Sequence, residues 1–95
     1  MKNNQIIIPV PDFYSVGDKE HFFQWLYSLR GYKNVVGAGR ELCITFRRSK
    51  LSQKDGSELV AIFSRYRLEK KVLRGLLGPA SRWSRGLHWF GEVFK

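Results

Sequence analysis

The chain is poor in the groups that perform covalent chemistry, with one cysteine, two histidines and eight acidic side chains in 95 residues. A single cysteine, Cys43, allows no intramolecular disulfide, so the fold must rest on its core, and a reducing compartment is the simpler setting. Placed between Leu42 and Ile44 in a strand-like run, Cys43 reads as a small buried apolar thiol rather than a nucleophile. No apolar run approaches the roughly 20 residues a membrane helix needs. The run 6–10 also lacks the length and cleavage region of a signal peptide, so a soluble cytoplasmic protein is expected. His21 and His88 are the only candidates for neutral-pH acid–base work, and no spacing ties either to Cys43, Ser81 or Ser84. His21 reads as solvated and His88 as packed beside Trp89. The few ligand-type residues are too scattered for a metal site, and no spacing names a cofactor. A histidine-and-arginine ribonuclease site stays open at this stage, since its members need only meet in space.

What the chain has in excess is positive charge. Seventeen lysines and arginines give a net charge of +9, unevenly distributed. Up to Phe46 the balance is +1, whereas from Arg47 onward twelve cations face only Asp55, Glu58, Glu69 and Glu92, leaving +8. This asymmetry points to an anionic partner, against the plainer reading that it only keeps a small protein soluble. With 43% hydrophobic and 15% aromatic residues, the chain reads as one globular domain over residues 1–95.

Residues 18–32 hold the longest helical repeat of large apolar side chains, with Phe22, Trp25, Leu26 and Leu29 lining one face. Asp18 is placed to cap this helix, Gly31 to close it, and the spacing Ser15-x-x-Asp18 offers a variant capping arrangement. Before it, residues 5–10 read as a strand, with Pro9 and Pro11 suited to an edge or a strand end. After it, residues 34–36 and 41–47 read as a hairpin around Gly37-Ala38-Gly39. The same triplet could cradle a phosphate, but it lacks both the glycine-rich fingerprint and a helix directly following. Leu42, Ile44 and Phe46 alternate with Cys43, Thr45 and Arg47, which predicts one apolar face turned to the helix. Residues 51–68 repeat the helical logic, with Leu59, Ile62, Phe63 and Tyr66 on one face and Lys54, Glu58, Ala61 and Arg65 on the other. Ser52 and Asp55 stand at capping-box spacing, while Gly56 suggests that the regular helix starts only there. A third helix over 69–77 should stop at Gly78-Pro79, with Trp89, Phe90, Val93 and Phe94 folding back as one turn. The expected fold is α+β, of order β-α-β-β-α-α, with a small, mainly antiparallel sheet covered on one face by helices.

Two readings compete for the basic, aromatic second half. Arg82, Trp83, Arg85, His88 and Trp89 could serve a single strand of nucleic acid, or Trp83 and Trp89 are core and the arginines are surface charge. No named nucleic-acid motif is present. The runs Ile-Pro-Val-Pro-Asp-Phe-Tyr (8–14), Phe-Phe-Gln-Trp-Leu (22–26), Asn-Val-Val-Gly (34–37), Glu-Leu-Val-Ala-Ile-Phe-Ser-Arg-Tyr (58–66) and Trp-Phe-Gly-Glu-Val-Phe (89–94) carry a resemblance. In this order they resemble small bacterial proteins of the immunity type, such as those made beside contact-dependent growth-inhibition toxins. The resemblance implies a cytoplasmic, non-catalytic protein that neutralises one toxin by binding it. Immunity proteins against nucleases are often acidic, so a chain this basic implies an acidic contact surface on its toxin. The residues expected to meet such a partner are Arg47, Arg48, Lys50, Lys54, Arg65, Arg82 and Arg85, the first five forming one patch. No membrane partner is expected, and a small RNA- or DNA-binding protein is the alternative.

Overall fold

The computed structural model describes residues 4–94. Three strands, β1 (Gln5–Pro9), β2 (Tyr32–Ala38) and β3 (Glu41–Phe46), form an antiparallel sheet of order β1-β3-β2. They are joined in chain order with α1 (Val16–Tyr27), α2 (Gln53–Arg65), α3 (Leu73–Leu77) and a short terminal α4 (Phe90–Phe94), giving the expected α+β fold. The 3-10 turns Arg48–Lys50 and Lys70–Val72 lead into α2 and α3.

Alternation in the strands decides which face is covered. The rows Ile6–Ile44–Val35 and Ile8–Leu42 point to the helices and join one core with Phe22, Leu26, Leu29, Leu59, Ile62 and Phe63. The row Ile7–Cys43–Val36 points the other way, and Ile7 and Val36 remain 56% and 58% exposed. Cys43 is therefore half-buried on the open face rather than a core thiol. Pro9 lies at the end of an edge strand, as its missing N–H requires. The hairpin turn is tighter than expected. Strand β2 runs through Ala38, and Gly39 alone of the two turn residues takes a positive φ, +63°, the type II′ pattern.

At both helix starts the expected capping arrangements form, with Ser15 rather than Asp18 as the cap of α1. In α1 the cap is Ser15, whose Oγ accepts from the Asp18 N–H at 3.0 Å, while the Asp18 carboxylate accepts from the Tyr14 N–H at 3.1 Å. Asp18 is thus inside the first turn. At the other end α1 stops at Tyr27 with Ser28 in ordinary helical conformation, so Gly31 is not its left-handed exit. Gly31 is needed for close approach instead, because a Cβ there would stand 2.5 Å from Leu51 Cδ2. In α2 the capping box forms as expected, but the helix starts at Gln53, not after Gly56. Gly56 lies within its first turns against the Trp83 ring. The third helix is split into a 3-10 turn and the five residues of α3.

The C-terminal end of α2 closes in a Schellman arrangement. The Leu68 N–H donates to Phe63 O at 2.7 Å and the Arg67 N–H to Ser64 O at 3.4 Å, with Arg67 at φ +59° where glycine is usual. Two glycine exchanges should therefore move stability against helix propensity. Gly56→Ala places a Cβ 2.7 Å from Trp83 Cζ3 and should cost about 1–3 kcal/mol, although alanine is the better helix former by about 1 kcal/mol. Arg67→Gly should gain about 1 kcal/mol by releasing the left-handed strain. Urea unfolding of both variants checks the pair.

Candidate functional site

The basic link between β3 and α2 is positioned by one carboxylate. Asp55 is 3% exposed and completes the α2 capping box, accepting from the Ser52 N–H at 3.4 Å while Ser52 Oγ accepts from its own N–H at 3.1 Å. The same carboxylate accepts from the Arg30 N–H at 3.2 Å and the Gly31 N–H at 3.0 Å. Charge-assisted bonds of this kind are about twice as strong as neutral ones. They tie the turn between α1 and β2 to the start of α2, and the Arg47 N–H closes the arrangement on Gly31 O at 2.6 Å. Arg30, Arg47, Lys50 and Lys54 are exposed around this junction.

The five cations expected in one patch, Arg47, Arg48, Lys50, Lys54 and Arg65, are divided between different settings. Arg47, Lys50 and Lys54 project from the link and the first turn of α2, and among the described residues their side chains make no hydrogen bonds or ion pairs. Arg48 is half-buried and used internally, its Nε donating to Leu76 O at 3.1 Å and its Nη2 to Gly78 O. Arg82 holds the same region, with Nη2 donating to Leu51 O at 3.0 Å and its guanidinium 5.6 Å from the Trp83 ring centroid. Arg85 is exposed in the segment between Trp83 and Trp89. Arg65 shares a helical face with Lys54, but eleven residues at 1.5 Å each put it about 16 Å away. Between described residues a single ion pair forms, Lys70 with Glu92 at 2.9 Å, so most of the excess charge faces solvent unpaired.

Arg65 instead joins clefts at the other end of α2. One is lined by Asp18, His21, Gln24, Trp25, Ser28, Arg65 and Tyr66. A second, next to it, shares Trp25 and Arg65 and adds His88, Trp89 and Glu92. The clefts thus bring both histidines near Trp25 and Arg65, and among the described residues neither imidazole hydrogen-bonds to a carboxylate. His88 is exposed rather than packed. Trp25 is half-buried, its indole Nε1 donating to Glu58 Oε1 at 2.6 Å, which draws Glu58 from the exposed face of α2. Among the described residues no group of three or more histidine, cysteine, aspartate or glutamate side chains could hold a metal ion. No helix there is long and apolar enough to cross a membrane.

Trp83 and Trp89 are 4% and 2% exposed, and each spends its indole N–H internally, on Leu77 O at 2.6 Å and Ser57 Oγ at 2.9 Å. Neither ring presents a face for base stacking. Sequence reasoning missed Arg30 and the far reach of Asp55, because a contact across 25 residues leaves no local spacing to read. No family model matches the chain, and neither the curated proteins nor the solved structures contain a match to it.

Alkaline pH should weaken the cleft end of α2. The pKa of Tyr66 is raised above its ordinary value, first by burial and then by the hydrogen bond its O–H donates to Asp18 Oδ1 at 3.2 Å. A raised folded-state pKa gives stability that is complete below the ordinary tyrosine value of 10.0 and is lost as pH rises through the folded value. Unfolding measured from pH 8 to 11 should show stability falling above pH 10.0, with a smaller fall in Tyr66→Phe.

Proposed function

We propose that the protein is a non-catalytic binding module of the immunity type, cytoplasmic, which neutralises a cognate toxin by covering an acidic surface on it. The supporting observation is the junction around Asp55. Arg47 and Lys50 on a short link, whose backbone is held from both sides, and Lys54 in the first turn of α2 stand exposed and without partners among the described residues. Cations on a fixed backbone steer an acidic partner into one orientation and lose less freedom on contact than cations on a mobile tail. Arg48 and Arg82 contribute to this surface mainly by holding the link to Leu76, Gly78 and Leu51. Arg65 and Arg85 extend the positive field to either side. The burial of Trp83 and Trp89 removes those two rings as stacking surfaces, which lends weight to a protein partner over single-stranded nucleic acid. The resemblance of the sequence to immunity-type proteins supplies the toxin as the partner's class.

Reversing Arg47 and Lys50 to glutamate should slow association with the toxin captured as its partner roughly tenfold or more and flatten its salt dependence. Unfolding free energy should change by less than about 0.5 kcal/mol, because these charges are exposed and unpaired. Stopped-flow association at several salt concentrations measures both effects. If the native protein instead retards random-sequence RNA or DNA and captures no discrete protein, the nucleic-acid reading replaces this one.

A further inference from the structure

The two edges of the sheet are not equally protected. β1 is five residues long and ends in Pro9, which removes one of its outward donors and shortens the edge a neighbouring strand could use. β2 is seven residues long and has no proline, and its only guards are a bulge at Lys33 and the charge of that lysine. Its pairing shows which backbone groups are free. The Phe46 N–H donates to Asn4 O at 2.8 Å and Arg40 O accepts from the Val10 N–H at 2.9 Å, so the even-numbered residues of β3 bond towards β1. Glu41, Cys43 and Thr45 therefore bond towards β2, on Ala38, Val36 and Asn34. The N–H and C=O groups of Val35 and Gly37 between them point out of the sheet, and none has a partner among the described residues.

The surroundings of this edge have a definite chemistry. Exposed cations stand at both ends, Arg30 and Lys33 near the start of β2 and Arg40 in the turn, and β2 itself carries no acidic side chain. Glu41 lies on β3 across the turn, and the Asp55 carboxylate before β2 is buried. On the open face the exposed Val36 stands beside Cys43 and Ile7, an apolar row able to receive one side chain of an added strand. A second copy of this chain fits poorly, because the same cations and a net charge of +9 would meet their like.

We propose that the outer edge of β2 is a docking edge for an extended, carboxylate-bearing segment of a protein partner, added as a fourth strand. The main-chain bonds of Val35 and Gly37 supply affinity that does not depend on the partner's sequence, while the flanking cations and Val36 select acidic and apolar side chains at alternate positions. This rests on the reading of the protein as a binder of an acidic protein and names a place on it that the basic link does not include.

The test uses a capped ten-residue peptide alternating valine and glutamate, titrated into the 15N-labelled protein, with a lysine-for-glutamate peptide as control. The glutamate peptide should shift the amides of β2, slow hydrogen exchange at Val35 and Gly37 at least tenfold, and bind at least tenfold more tightly than the lysine peptide. Gly37→Pro removes an outward N–H at an edge position where proline is tolerated, and should weaken binding at least tenfold with little change in Tm. Lys33→Glu should weaken it without touching any backbone group. Shifts confined to Arg47, Lys50 and Lys54 would overturn the edge assignment and leave the binding reading standing. Equal binding of the two peptides, displacement of the peptide by a short oligonucleotide, or protection of the same amides by concentration-dependent self-association would each overturn it. So would the absence of any shift, which would count against the acidic-partner reading as well.

Discussion

Asp55 is the point on which the arrangement depends. A carboxylate 3% exposed would be costly to bury alone, and here it is met by the backbone donors of Ser52, Arg30 and Gly31. Two of these lie in the turn from α1 to β2, so one side chain fixes the start of a helix and the relation of that helix to the helix and strand before it. The Arg47 bond to Gly31 O then sets where β3 ends, and Gly31 has no side chain because Leu51 occupies that space. The start of α2 and the turn leading into an edge strand are tied together by this one group, while Arg48 and Arg82 hold the basic link from its other side.

The sheet carries the consequence. Three strands with helices on one side leave the other face uncovered, and Ile7, Cys43 and Val36 stand on it in one row. The cations lie elsewhere: around the Asp55 junction, in the hairpin turn, at the far end of α2 and along the C-terminal segment. A protein built this way has a cationic margin beside an open strand edge. Two of the three tryptophans, Trp83 and Trp89, are sealed inside and offer no stacking surface to a base.

Most of the architecture was legible because it is written in local spacing. The apolar repeats of α1 and α2, the alternation in β3 and the Ser52–Asp55 box all led to the observed elements. The misreadings share a cause, which is that spacing reports a face but not what lies against it. Cys43 alternates as a strand residue should, yet nothing in the sequence says that its side of the sheet stays open. Gly56 looks like a helix breaker and is instead the gap that admits Trp83. Trp25 is on the expected face but far enough out to reach Glu58. At the candidate site the charge asymmetry was visible at once, whereas the internal use of Arg48 and Arg82 depends on carbonyls about 30 residues away. Arg67 carries no sequence signal, since its left-handed conformation follows from the chain's path after α2.

The most direct measurement compares Ser52→Ala with Asp55→Asn by urea unfolding, together with native-state hydrogen exchange at Gly31. Ser52→Ala removes only a helix cap and should cost about 1 kcal/mol. Asp55→Asn weakens the tie between α1, β2 and α2 as well, and should cost about 2–3 kcal/mol with the Gly31 amide exchanging faster than the global loss of stability explains. Equal costs for the two variants, with Gly31 protection following global stability alone, would show that Asp55 is a helix cap and nothing more, and would contradict the account.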